Sequence, residues 1–434
     1  MLKVLEARFF KRRFSRRTFD DYPEALATVR EIIRAVQLKG DEALRFYTAE
    51  FDGAVLETWR VSEEEFERAE RLVDRDVREL LCRAGENIAG FHRRGLRQSW
   101  QERGADGVVL GERVTALASV GAYVPGGGAA YPSSVLMTVI PARVAGVRKV
   151  VVVTPPQAGG EVNANTLVAA RLAGADEVYK CGGAQAIAAL AYGTESIQSV
   201  DKIVGPGNLF VTLAKREVAG MVGIDMLAGP SEVLVLADDT ARSDFVAADL
   251  LSQAEHDVLA AAYCVTTSRR LAAELPRELE KQCVKLARCS VAAKALAEQG
   301  ALVLAKDMSE ALDIVNTLAP EHLELHLADP WQALEQIENA GAIFVGAYTP
   351  EPLGDYWAGP NHVLPTAGSA RFCSPLSAAD FQKRSSIIHY PAAALLGAAR
   401  AVETLAAVEG LTAHGQAVKI RREYLEQQKC DNNA

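Results

Sequence analysis

The chain has 434 residues, 49% hydrophobic and 24% charged, the make-up of an ordinary globular protein. That length predicts two or more domains, and a net charge of −9 argues against a polyanionic partner such as nucleic acid. The longest apolar stretch, residues 135–153, is interrupted by Pro141, Arg143, Arg148 and Lys149, so no membrane span is expected.

The first twenty residues place Lys11, Arg12, Arg13, Arg16 and Arg17 among Phe9, Phe10 and Phe14. No apolar h-region follows, and Glu6 counts against an organelle-targeting peptide. A basic tail packed on its own or a partner subunit is the expectation. Residues 62–87 are dense in charge, with Phe66, Leu72, Val73, Val77, Leu80 and Leu81 at helical spacing, and predict one amphipathic surface helix. Ser62 followed by Glu65 has the form of a capping box that starts it.

From residue 150 onward, short apolar runs alternate with helical stretches. Strands are expected at 150–153, 177–179, 202–204, 232–236, 262–266, 302–304 and 343–345, and helices at 166–172, 184–191, 242–255 and 309–318. Several runs are apolar throughout, as in strands buried on both faces of a parallel sheet. The fold class is therefore α/β with mainly parallel sheets, followed by an Ala-rich helical stretch at 391–425. The seven cysteines are odd in number and never spaced C-x-x-C, which predicts neither a disulfide framework nor a zinc-thiolate site and suits a reducing cytoplasm.

Glycine concentrates in three loops: 121–128 followed by Tyr131-Pro-Ser-Ser134, 181–185, and Gly205-Pro-Gly-Asn208. Glycines at strand–helix junctions let backbone N–H groups approach a phosphate. None of the three completes G-x-G-x-x-G, because Tyr131 and Phe210 stand where a third glycine belongs. Each loop alone reads as a tight turn; together they raise a nucleotide site.

Four polar clusters carry possible chemistry. Gln253 and His256, three apart at a helix end, can offer an oxygen and a nitrogen to one cation. In residues 320–326, leucines alternate with His322, Glu324 and His326, the pattern of a half-buried strand. His322 and His326 have zincin-like spacing, but Leu323 occupies the place of the glutamate that H-E-x-x-H requires. Adjacent Glu321 and His322 can each supply a general base. Residues 350–362, rich in Gly, Pro and aromatics, carry Asp355 and His362 and read as a binding loop. Glu409 and His414 by themselves read as a solvated helix face.

Taken together, the segments Gly121-AYVPGGGAAYPSS, CGGAQAIAALAYG, DKIVGPGN, AGPSEVLVLAD, DLLSQAEHD, APEHLEL, YTPEPLGDYWAGPNHVLPT, ADFQKR and EGLTAHGQAV resemble the histidinol dehydrogenase family. The resemblance implies an NAD-dependent oxidation of L-histidinol to L-histidine through L-histidinaldehyde, with one Zn²⁺ per subunit. It carries the zinc ligands onto Gln253, His256, Asp355 and His414, and the general bases onto Glu321 and His322. Substrate contacts fall on Ser231, Glu409 and His362 beside the zinc ligands and His322; dinucleotide contacts fall on Tyr123, Gln185 and Asn208. The family is similar to an incomplete Rossmann fold repeated twice, which accounts for the missing glycine fingerprint.

The resemblance further implies a homodimer whose C-terminal tail completes the other subunit's site. The expected division is a tail at 1–20, a first Rossmann-like domain from 21–118 with 233–378, a second, NAD-binding one at 119–232, and a helical tail at 379–434. Three competing readings are a zinc- and NAD-dependent dehydrogenase of another small polar alcohol, a metal-dependent hydrolase, and a non-catalytic binding protein.

Overall fold

The computed structural model describes residues 2–6, 22–126 and 130–431, so the basic segment around Arg12 and the glycines 127–128 lie outside the described residues. The chain forms two compact units: Met1–Gly95 with Leu117–Phe381, and Leu96–Ala116 with Gln382–Ala434. In chain order the strands are β1 (Val4–Glu6), β2 (Trp100–Arg103), β3 (Val109–Ala116), β4 (Ser119–Tyr123), β5 (Lys149–Thr154), β6 (Glu177–Lys180), β7 (Lys202–Val204), β8 (Gly223–Ile224), β9 (Glu232–Ala237), β10 (Ala261–Thr266), β11 (Ala301–Leu304), β12 (His322–His326), β13 (Ala342–Val345) and β14 (Gln382–His389).

The first unit contains two parallel sheets, with orders β1-β11-β10-β9-β12-β13 and β6-β5-β4-β7-β8. In the six-stranded sheet, Val233 and Val235 of β9 face a core shared with helices Ser243–Ala254, Arg269–Cys283 and Cys289–Glu298. Leu234 and Leu236 point the other way, into a core with helix Met308–Leu318. Burial on both faces is why these strands read as continuous apolar runs. In the five-stranded sheet, Val151 and Val153 pack with helices Gly183–Tyr192 and Pro23–Lys39. There Gly121 is in the middle of β4, where a Cβ would come within 2.7 Å of the Leu190 side chain. Residues 121–123 of the first glycine loop are thus strand, thinned so that a helix can approach closely.

Other expectations change. Residues 62–87 form two helices, Glu63–Leu72 and Arg75–Arg93. Val73 is buried with an extended backbone, and Asp74 follows as the residue that begins the next helix. The capping box is present: Glu65 N–H donates to Ser62 Oγ, and Ser62 N–H donates to the Glu65 carboxylate. The strand at 322–326 exists but is buried at all five positions, because it runs between β9 and β13.

The second unit is an antiparallel sheet, order β14-β3-β2, with helices Ala392–Val408 and Thr412–Asp431. β2 and β14 are largely exposed and β3 is mostly half-buried, with Glu, Arg, Gln and Lys spread among them, so no clear strand pattern marks them in the sequence. The stretch 391–425 breaks at Gly410, whose φ of 70° ends the first helix. The two helices pack together, with Arg422 bound to Glu403 and Glu426. All seven cysteines are free thiols.

Candidate active site

The site is built at the amino end of β12. Ala319, with φ 50°, and Pro320 end helix Met308–Leu318 and turn the chain into the sheet. Gly341 lies against this turn: its N–H donates to the Pro320 carbonyl, and a Cβ there would stand 2.5 Å from the Glu321 carbonyl oxygen. Glu321 and His322 therefore enter the strand fixed on both sides.

Both residues grip the backbone of Glu232 at the start of β9. Glu232 N–H donates to Glu321 Oε2 at 2.7 Å, and His322 Nδ1 lies 2.9 Å from the Glu232 carbonyl oxygen. A carbonyl oxygen only accepts, so Nδ1 carries the proton and Nε2 holds the lone pair. Among the described residues Nε2 has no hydrogen-bond partner. Burial lowers the His322 pKa to about 4 against the opposing charge of Asp355, so the ring is neutral at physiological pH. Burial also raises Glu321 well above the usual carboxylate range; the Glu232 N–H works against this and the charge of Asp355 adds to it.

Asp355 comes from residues 350–362. Helix Glu351–Leu353 runs into a π-helical turn, Gly354–Ala358. Such turns aim side chains that a regular helix would direct elsewhere, and they cluster at functional sites. Asp355, Glu351 and His322 each bring a potential ligand atom within 4.8 Å of the others. Glu351 Oε1 is 3.9 Å from His322 Nε2, and burial together with Asp355 raises its pKa. His362 follows buried Asn361, which donates to the Met137 carbonyl at 2.6 Å and accepts from Val363 N–H. Burial lowers the His362 pKa, while Asp355 pulls it upward.

Helix Ser243–Ala254 delivers Gln253 and His256 to the same end of the sheet. Gln253 Nε2 stands 3.4 Å from His256 Nδ1. Gln253 is buried, yet its Oε1 has no hydrogen-bond partner among the described residues. An acceptor stranded in this way costs about 1–3 kcal/mol, a cost that a cation would relieve. The charges of His256 and Asp355 both act on His322 and on His362, so these side chains share one locality. Their nitrogen and oxygen donors, without sulfur, fit a borderline divalent cation.

Ser231 immediately precedes β9, and its carbonyl accepts from Ala261 N–H. Tyr123, Gln185 and Asn208 lie at or just beyond the carboxyl ends of β4, β6 and β7, the edge where open α/β sheets bind ligands. Tyr123 Oη accepts from Gly183 N–H, and Asn208 Oδ1 accepts from Val211 N–H, capping helix Leu209–Val218. Gln185 is buried with both amide atoms unpartnered among the described residues. Glu409 and His414 belong to the second unit, exposed near the break between its two helices.

Sequence reasoning passed over Glu351, whose only mark was a glutamate between two prolines. It also passed over Asp249 and gave no role to Glu324 or His326; all three are buried. The alternation of His322, Glu324 and His326 was the available sign: on a strand those three share one face.

A family model described as histidinol dehydrogenase matches residues 15–422. A histidinol dehydrogenase of Bacillus cereus (strain ATCC 10987 / NRS 248) is 54% identical over 395 residues, spanning 91% of this chain and 92% of its own length. One from Moorella thermoacetica is 53% identical over 425 residues, covering 98% of this chain and 100% of the relative. The crystal structure of histidinol dehydrogenase from Elizabethkingia anophelis superposes with a TM-score of 0.89 at 37% identity, covering 92% of each chain.

Proposed function

The chain belongs to the histidinol dehydrogenase family and is an oxidoreductase of histidine biosynthesis, and on that premise we propose that it oxidises L-histidinol to L-histidine in two NAD-dependent steps at one zinc site. Gln253, His256, Asp355 and His414 of the partner subunit would hold the ion. When bound, Zn²⁺ would supply a Lewis acid to the substrate. NAD⁺, held by Tyr123, Gln185 and Asn208, supplies the hydride acceptor.

His322 Nε2 takes the hydroxyl proton as the adjoining carbon gives up hydride. Glu321, fixed through one oxygen to Glu232 N–H, removes a proton from the water that adds to the aldehyde. Once its first proton has passed to solvent, His322 takes the hydroxyl proton of that hydrate as the second hydride leaves for a second NAD⁺. Ser231 and His362 orient the substrate, and Glu409 of the partner subunit accepts from its imidazole N–H. Support for a cytoplasmic homodimer comes from free cysteines and from exposed Leu405, Val408, Ile420 and Tyr424 on the C-terminal helices, an apolar face suited to a second copy. Among the described residues no helix is long and apolar enough to cross a membrane.

One observation carries the reading: a buried histidine whose Nδ1 is bonded to the Glu232 carbonyl while its Nε2, 3.9 Å from Glu351 Oε1, has no hydrogen-bond partner among the described residues. The test is NADH released per histidinol consumed by the zinc-loaded protein. Two are expected; one, or none, overturns the four-electron assignment.

A further inference from the structure

His322, Glu324 and His326 alternate along β12 and so share one face of the strand. The other face carries Leu323 and Leu325, which pack into the core with helix Met308–Leu318. On the polar face, His326 Nε2 is 3.1 Å from Asp249 Oδ2 and 3.6 Å from Glu324 Oε2. Asp249, Glu324 and His326 are 7%, 0% and 2% exposed, so this is a sealed ionic cluster rather than a surface one. Burial disfavours charge on His326, but the neighbouring carboxylates of Asp249 and Glu324 outweigh it and raise its pKa to about 9.

Each member is tied to a different part of the site. Asp249 lies on helix Ser243–Ala254 one turn before Gln253, on the same helical face. His326 ends the strand that begins with His322. Glu324 Oε1 accepts from Glu351 N–H at 2.8 Å, at the start of the short helix that leads to Asp355.

We propose that His326 is a positioning residue: by bridging Asp249 and Glu324 it fastens together the three elements that carry Gln253 with His256, His322, and Asp355. The inference rests on the zinc-site reading above and adds what keeps its ligands in place. Three elements joined only by apolar contacts can slide relative to one another. An ionic clamp buried between them resists sliding, because displacing any one element would leave charge unpaired away from water. The partners that orient metal ligands set metal affinity in the same way.

The experiment compares full-length His326→Leu, His326→Gln and a control, Leu312→Ala, which cuts the core on the opposite face of β12. Zinc dissociation constants are read by chelator competition, zinc content by metal analysis, and backbone exchange over residues 346–358 on metal-free protein. His326→Leu should bind zinc about 10–100-fold more weakly, and its Glu351 amide should exchange faster. His326→Gln, whose amide donates from near the place of Nε2, should stay within about threefold of the parent chain. Leu312→Ala should lower the melting temperature without changing zinc affinity. Parent-like zinc affinity in His326→Leu, equal weakening in Leu312→Ala, or two zinc ions per parent chain would overturn the proposal. If His326→Leu does not fold, Asp249→Asn takes its place, with the same direction of change required. A parent chain that takes up no zinc defeats the zinc-site reading instead; the Glu351 amide then decides the clamp, faster exchange supporting it and unchanged exchange ending it.

Discussion

His322 Nδ1 stands 2.9 Å from the carbonyl oxygen of Glu232, and this one contact fixes which imidazole nitrogen keeps its lone pair. The partner is backbone at the start of a central strand, so it cannot rotate away. The ring is held as the tautomer with its lone pair on Nε2, and burial keeps it neutral. Replacing His322 by Asn removes that lone pair. Turnover of histidinol should fall by on the order of 10²–10⁴ with zinc content unchanged, as metal analysis beside steady-state NADH formation would show. Turnover close to that of the parent chain would reject His322 as the base.

Glu321 should matter to a different half of the reaction. Its Oε2 is committed to Glu232 N–H, which leaves its other oxygen for water. Glu321→Gln keeps the shape and the acceptor of that hydrogen bond but removes the proton-accepting carboxylate. Oxidation of supplied histidinaldehyde should fall by on the order of 10²-fold or more, while histidinol oxidation falls less. Equal loss in both half-reactions would remove Glu321 from water activation.

Much of this was legible in the sequence, and the limits have physical causes. β9, β10 and β11 announce themselves because burial on both faces demands unbroken apolar runs. β2 and β14 stay silent because they are largely exposed, β3 because it is only half-buried, and β4 hides because Gly121 yields space to Leu190. The alternation in β12 suggested a solvated face; in the fold that face is buried, and its His326 pairs with Asp249 of helix Ser243–Ala254 and with Glu324. Gln253 with His256, Asp355, and His322 come from three separate stretches of the sequence, and the return of that helix and the π-helical turn put them in one locality. A spacing rule cannot express such a meeting, whereas a resemblance across nine segments can.

His92 offers a pH-dependent test away from the active site. It is 2% exposed, its Nε2 has no hydrogen-bond partner among the described residues, and burial lowers its pKa to about 4 although Asp380 pulls upward. The unfolded chain, with an ordinary histidine pKa near 6.5, binds this proton first as pH falls. The contribution to stability is therefore whole above about pH 6.5 and is lost progressively toward pH 4, by about 1–3 kcal/mol. Urea titrations at pH 7 and pH 4.5 should show a smaller acid loss for His92→Gln than for the parent chain. Identical losses would mean that His92 does not drive the acid limb.

The shared-site arrangement predicts complementation between two dead variants. On the proposed reading, His322→Asn removes the base from its own β12, whereas His414→Asn removes a zinc ligand that the chain gives to the partner subunit. In a hybrid dimer, one of the two sites takes both defects and the other takes neither. Random re-pairing of equal amounts yields hybrids as about half of all dimers, each with one intact site of two. About a quarter of the parent activity should therefore return, with symmetric exchange between two-fold related subunits setting that ceiling. The measurement is NADH formation after denaturant-assisted mixing, with hybrids counted by native mass spectrometry. Confirmed hybrids without recovered activity would show that each chain completes its own site, and would return Glu409 and His414 to the role of surface residues on the C-terminal helices.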